Sequence, residues 1–259
     1  MSYSISAAEQ EQLDTEGWVV VPDVLSVAEI EVYRARLLDL AEAERADGSG
    51  RMHSDDHGQH VRWLMNKGRE FEKLVAQPRV VPYFEHLLGQ DYTLSTLTSN
   101  LIYPGAADAP FHVDNALGAM PEPLPSFPIF VNTLWLLDDF TPENGGTRFV
   151  PGSHRWLKKP PRAEDPLALC HPGEIRLNAP KGSVFLFNGA TWHATGANQT
   201  EESRICLIGF CCRSFMKPMF DFVHFVEPEV VARATPEMRR IYGFDSRPQG
   251  PDRAPDADA

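Results

Sequence analysis

The chain has 259 residues, 42% of them hydrophobic, and a formal net charge of -12. That length supports one domain with a sizeable core, and no apolar run approaches the roughly 18 residues needed to cross a bilayer. The acidic balance argues against a nucleic-acid partner, because phosphate binding needs clustered Lys and Arg.

The amino-terminal segment lacks a basic stretch followed by an apolar one, so no signal peptide is expected. The four cysteines, Cys170, Cys206, Cys211 and Cys212, have neither metal-ligand nor disulfide-framework spacing, and reduced thiols in a cytoplasmic protein are expected. Residues 1–90 read as helix-rich. Ser6 with Glu9, and Ser26 with Glu29, have the form of capping boxes opening helices. In the second helix Ile30, Tyr33, Leu37, Leu40 and Ala41 recur at helical spacing and predict packing against a sheet. Between them Gly17–Pro22 predicts a short buried strand. Gly48–Gly58 reads as a mobile polar loop. Two further helices are predicted over Arg69–Ala76, stopped before Pro78, and Val80–Leu88, ended by Gly89.

From Asp91 the signal changes to strands: Tyr92–Tyr103, Ala109–Val113, Ile129–Leu137, Thr147–Pro151, Gly173–Leu177, Ser183–Asn188, Ala194–Ala197 and Arg204–Cys212. Short strands separated by turns predict a mainly β fold with flanking α, a double-sheet jelly roll with helices covering one sheet. The expected organisation is a single domain over 1–244 with its jelly-roll core at 91–213. The Pro- and Asp-rich stretch 245–259 is expected to be a disordered tail.

Four residues carry the chemistry. His112 and Asp114 stand two apart, a spacing that on a strand points both side chains to one face. His193 lies in Thr191-Trp192-His193-Ala194-Thr195. Two imidazoles and a carboxylate on one side of a metal leave its other positions open, which suits non-haem Fe(II) and O2 chemistry. Arg204 follows in a strand-like run, where a buried guanidinium can hold a carboxylate through two parallel hydrogen bonds. His53-Ser54-Asp55 repeats the His-x-Asp pattern, but within the polar loop. His53, His57 and His60 would share a face only in a helix that the surrounding glycines disfavour, so a metal there is disfavoured and a lid over the substrate is the functional alternative to plain surface. His154, after the turn signal Pro151-Gly152-Ser153, reads as structural.

With these pieces in order, the chain resembles the phytanoyl-CoA dioxygenase family of Fe(II)/2-oxoglutarate-dependent oxygenases from Gly17 to about Lys217. The matching segments are Glu16–Pro22, the His112/Asp114 pair, Trp135–Thr147 with its Asn144-Gly145-Gly146 turn, Phe149–Arg155, the segment around His193, and Arg204. The resemblance implies a double-stranded β-helix whose mouth holds Fe(II) on His112, Asp114 and His193. It further implies that Arg204 pairs with the distal carboxylate of 2-oxoglutarate, and that Thr147 and Asn100 hydrogen-bond the co-substrate. Thr195, facing the same side as His193, is a further candidate. Related halogenases carry a small residue at the carboxylate position, so Asp114 implies hydroxylation as the default outcome.

The segments 115–130, 60–64 and 215–225 are expected to roof the site. Their apolar content points to a small-molecule substrate with a hydrophobic portion, with secondary-metabolite tailoring the preferred setting. Two other classes use the same residues. A zinc hydrolase also accepts two histidines and a carboxylate, but leaves Arg204 and Thr147 without a role. A non-catalytic jelly-roll module for a small acid predicts binding without turnover. The sequence leaves the oligomeric state open.

Overall fold

The computed structural model describes residues 3–162 and 164–244, so the tail expected at 245–259 lies outside the described residues. In chain order the helices and strands begin with α1 (Ala7–Thr15), β1 (Trp18–Val21), α2 (Val27–Ala46), β2 (Arg51–Met52) and β3 (Gly58–His60). Next come α3 (Val81–Leu88), β4 (Thr93–Ile102), α4 (Asn115–Ala119) and β5 (Phe130–Leu136). The strands β6 (Arg148–Phe149), β7 (Ile175–Arg176), β8 (Val184–Asn188), β9 (His193–Ala194) and β10 (Arg204–Cys212) complete the sheets, and α5 (Phe222–Phe225), α6 (Pro228–Arg233) and α7 (Pro236–Tyr242) follow. Both capping boxes form, with Ser6 and Ser26 accepting from the backbones of Glu9 and Glu29.

Seven strands make the larger sheet in the order β1-β8-β5-β10-β4-β3-β2, and three make the smaller, β7-β6-β9. The two-residue periodicity of the long strands decides what each face meets. On one face of the larger sheet Leu97, Leu101, Val131, Trp135, Leu186 and Leu207 join Ile30, Tyr33, Leu37, Phe84 and Leu87 of the helices in one core. On the other face Leu134, Leu136, Phe185, Phe187 and Cys206 pack with Phe140, Phe149 and Leu177 inside the double sheet. Phe111, Val113, Phe130 and Phe210 form a third cluster. Polar Thr96, Asn100 and Asn132 occupy inner-face positions and line a cavity. This is the jelly roll predicted, with helices on one sheet.

Several predicted elements differ. Ala109–Val113 is not a strand: Pro110 has no N–H to give, and its neighbours donate to scattered acceptors, Ala109 to Thr195 O at 3.0 Å and Phe111 to Ala168 O at 2.7 Å. Only His112 pairs, as a bridge to His193. The predicted strands Thr147–Pro151, Gly173–Leu177 and Ala194–Ala197 shrink to two-residue β6, β7 and β9. Arg69–Ala76 forms 3-10 turns rather than an α-helix, burying Phe71, Leu74 and Val75. The stretch read as a mobile loop holds the β2–β3 hairpin, which extends the larger sheet through pairing of Gly58 with Ile102 and Gln59 with Leu101.

Candidate active site

The smaller sheet brings the two histidines together. His112 and His193 exchange both backbone hydrogen bonds, at 2.9 and 3.0 Å, and their rings lie 4.3 Å apart between centroids. Each ring is oriented from behind. His193 Nδ1 lies 2.8 Å from Thr191 O, and His112 Nδ1 lies 3.4 Å from Pro110 O. A carbonyl on Nδ1 fixes the proton there and leaves Nε2 as a lone-pair donor. Burial pushes both imidazoles below their ordinary pKa, so both are neutral, the form that binds metals.

Asp114 is set not by a strand but by the turn into α4, as its N-cap residue with φ -55° and ψ 147°, and its side chain does not cap the helix. The carboxylate faces the cavity instead. Oδ1 accepts from Asn132 Nδ2 at 3.3 Å, while Oδ2 is buried without a partner. His193 Nε2 is 3.7 Å from Oδ1, too far for a hydrogen bond, and with His193 neutral it is not an ion pair. Burial therefore pushes the Asp114 carboxyl up to about 8, against the opposing Asn132 hydrogen bond. Among the described residues no group of three or more His, Cys, Asp or Glu side chains stands in a geometry ready to hold a metal ion. The donor set nevertheless fits a divalent cation, because two neutral imidazoles and one carboxylate lacking a counter-charge face the same space.

Those three residues line a cavity of about 270 Å³ together with His53, His60, Thr96, Asn100, Asn132, Leu134, Thr147, Phe187, Thr195, Ile208, Phe210 and Met219. Asn100 reaches it from β4 with a buried, unpartnered Oδ1. Thr147 is buried just before β6, and half-buried Thr195 follows β9. Arg204 is 1% exposed and, among the described residues, stands behind the lining rather than in it. Its Nη2 donates to Gly145 O at 2.5 Å, its guanidinium lies 4.3 Å from the Phe140 ring centroid, and Nε is buried without a partner. Burial pushes its pKa down against the opposing pull of Cys206 and the Asp138 charge, and among the described residues no carboxylate hydrogen-bonds it.

Of the expected roof, His60 and Met219 reach the cavity, whereas Leu124 packs into a core cluster and Phe127 is 49% exposed. The sequence reading missed Asn132, whose signal was a lone amide in an otherwise apolar strand. It read His53 as part of a polar loop, either plain surface or a lid, and the 60–64 segment as roof; both His53 and His60 line the cavity from the hairpin. His154 is structural: its Nε2 lies 3.3 Å from Asp14 O.

The family description phytanoyl-CoA dioxygenase (PhyH) matches residues 13–206. The chain is 28% identical over 241 residues to Dioxygenase af480 of Aspergillus fumigatus, covering 90% of this chain and 75% of that protein. HygX from Streptomyces hygroscopicus, solved with nickel and 2-oxoglutarate bound, superposes with a TM-score of 0.67 at 18% identity, over 83% of this chain and 90% of that one. The same protein with hygromycin B also bound gives 0.65 at 20% identity over the same shares. The epimerase SnoN, in complex with Fe3+, alpha-ketoglutarate and nogalamycin RO, gives 0.63 at 23% identity, over 81% and 85% of the two chains. These likenesses share the fold found here. With the match running from α1 into β10, the chain belongs to the phytanoyl-CoA dioxygenase family and is a dioxygenase of the Fe(II)/2-oxoglutarate-dependent kind.

Proposed function

We propose that this dioxygenase oxidises a small organic substrate with a hydrophobic portion, of the secondary-metabolite kind, with hydroxylation as its default outcome. One observation carries the reading. Two neutral imidazoles and the Asp114 carboxyl group, whose Oδ2 has no partner, face one cavity that Asn100 and Thr147 also line, and the buried Arg204 guanidinium stands outside that lining with an unpartnered Nε.

His112, Asp114 and His193 are the residues that would hold Fe(II), and Arg204, Asn100 and Thr147 those that would hold 2-oxoglutarate, with Thr195 beside the metal end. When bound, this pair would supply an oxidation that couples decarboxylation of 2-oxoglutarate to succinate and CO2, with one oxygen atom of O2 taken into succinate, to transfer of the other into the substrate C–H bond. The chain's residues orient the reactants and exclude water. Thr191 O and Pro110 O keep the two imidazole lone pairs forward. Asn132 holds one Asp114 oxygen and leaves the other free. Arg204, braced by Gly145 O and Phe140, presents a charge to a carboxylate without swinging away.

The rest of the wall includes the apolar Leu134, Ile208, Phe210 and Met219. About 270 Å³ is small beside the roughly 300–1,000 Å³ of ordinary ligand pockets. A co-substrate of five carbons leaves room only for the reacting end of the substrate, whose body then passes Met219, 46% exposed at the mouth. Hygromycin B in HygX and nogalamycin RO in SnoN support a small-molecule substrate. SnoN, an epimerase, indicates that the fold also accommodates outcomes other than hydroxylation.

The test is succinate formation from 2-oxoglutarate under air with Fe(II) and ascorbate, in the wild type, His112→Ala and Arg204→Leu. Turnover in the wild type and its loss in both variants is expected, and mass shifts on candidate substrates then identify the product. Should wild-type turnover be missing, and the visible band of an anaerobic Fe(II)–2-oxoglutarate complex be missing too, the residue roles fall.

A further inference from the structure

The cavity carries a second histidine pair that the roles above do not use. His53 and His60 stand on the β2–β3 hairpin with ring centroids 4.7 Å apart, and both face the cavity that holds His112, Asp114 and His193. The pair is locked into the sheet. His53 N–H donates to Gly58 O at 2.8 Å, and His60 Nδ1 lies 2.7 Å from Ser99 O. Gly58 makes the space for the imidazole: a Cβ there would come within 2.4 Å of His53 Nδ1.

His53 Nε2 is buried and has no hydrogen-bond partner. Asn100 Oδ1 and Arg204 Nε are also buried without a close partner; a side-chain hydrogen bond with Asn100 favours the proton on His53 and the Arg204 charge opposes it, while burial acts first to keep the ring neutral. Polar groups that meet little but one another at the end of a cavity are costly unless a ligand completes them. The missing group must accept from a guanidinium, from an imidazole N–H, and from an amide that offers its NH2 after a half-turn. A carboxylate does all three.

We propose that His53 is a co-substrate-binding residue, its Nε2–H donating to the distal carboxylate of 2-oxoglutarate beside Arg204. The β2–β3 hairpin is then a fixed wall of the co-substrate site, with His60 packed against the His53 ring, rather than a lid over the substrate. This rests on the reading of the site as a 2-oxoglutarate site. His53 adds direction without charge, and so favours an acid whose far carboxylate reaches Arg204 and the hairpin together.

The experiment is calorimetric titration of the Ni(II)-loaded full chain with 2-oxoglutarate, in wild type, His53→Ala and His53→Gln, with Ni(II) affinity of each protein measured separately. His53→Ala should weaken 2-oxoglutarate binding about tenfold, the loss of one hydrogen bond to a charged group. His53→Gln, which keeps an N–H donor, should recover most of it, and Ni(II) affinity should stay at the wild-type value in both. Equal 2-oxoglutarate affinity in wild type and His53→Ala overturns the role of His53 and leaves the co-substrate reading standing. Loss of Ni(II) binding in His53→Ala assigns the ring to the fold and equally overturns it. A Ni(II)-loaded wild type that binds no 2-oxoglutarate overturns both.

Discussion

Arg148 offers a demanding test of how the site is held. It is 1% exposed, and its guanidinium ties together the segments that carry both histidines. Nε and Nη2 donate to Glu174 at 3.1 and 2.7 Å, Nη1 donates to Ala109 O at 3.2 Å, and Nη2 also bonds Leu169 O. Its flat face lies 4.8 Å from the Phe111 ring centroid, and its backbone pairs with Ala194, the neighbour of His193. Arg148→Met keeps the apolar stem but strands the Glu174 carboxylate and two carbonyls. Breaking a buried ion pair from one side costs about 3–5 kcal/mol. Arg176, 3.7 Å from Glu174, compensates part of the charge, which places the expected loss near the lower end, about 3 kcal/mol. In urea this lowers the unfolding midpoint by about 1 M or more with an unchanged slope. Because Ala109 and Phe111 set the approach to His112, metal affinity should also fall about 10- to 100-fold, as for outer partners of metal ligands. Arg148→Lys should recover little, since an ammonium cannot bridge Glu174 and two carbonyls as the planar fork does. A midpoint shift corresponding to less than about 1 kcal/mol would refute the claim that this network holds the ligand-bearing segments.

Three other outcomes are expected. Arg204→Leu should weaken 2-oxoglutarate binding about tenfold or more while leaving the melting temperature unchanged or higher, because an apolar side chain replaces a buried charge without a carboxylate partner; calorimetry and a thermal melt check both. Burial pushes the Asp108 carboxyl up, but hydrogen bonds from Arg176 and the Ala197 N–H and the charges of Arg148 and Arg176 pull it below its ordinary value. Its stabilisation is therefore fully present above the unfolded value of about 3.9 and lost as pH falls through the lower folded value, so Asp108→Asn should flatten the acid limb of the stability profile, and an unaltered limb contradicts the assignment. Gly17→Ala places a Cβ 2.5 Å from His154 Nδ1 at φ +81°, and should cost about 1–3 kcal/mol in urea unfolding.

That His112, Asp114 and His193 share one cavity was legible because the chemistry proposed for them restricts it to few residue types at readable spacings. Asp114 followed from its place two after His112, although a turn rather than a strand delivers it. The strand expected around it failed on Pro110, whose missing N–H slips the pairing and leaves a single bridge at His112. The hairpin was hidden for another reason. Arg51–Met52 and Gly58–His60 are too short and polar to show alternation, and their pairing comes from the free edge of β4. An edge that recruits a polar segment is a tertiary event, so local propensity does not predict it. Asn132 and Thr96 belong to the same class: a polar residue inside an apolar strand is visible, but which side faces a cavity depends on the register with β8 and β10.

The arrangement of charge links stability to function. Asp114 and Arg204 are each buried and incompletely paired, and each costs the fold part of its hydration. They do not neutralise each other, because Arg204 is held by Gly145 O and Phe140 while Asp114 turns toward Asn132. Under the proposed roles, two ligands of opposite sign would relieve the two ends separately, a cation at Asp114 and an acid at Arg204. Anything that binds the folded chain and not the unfolded one raises stability with its concentration, by about 2.7 kcal/mol at a hundredfold excess over Kd. A divalent metal should therefore raise the melting temperature alone, and 2-oxoglutarate should raise it further once the metal gives its near end a ligand. In Asp114→Asn the protein should melt at or above the wild-type temperature without metal and gain little from it, because an amide fills the same space but, unlike the carboxyl that a cation would deprotonate, offers the metal no charge.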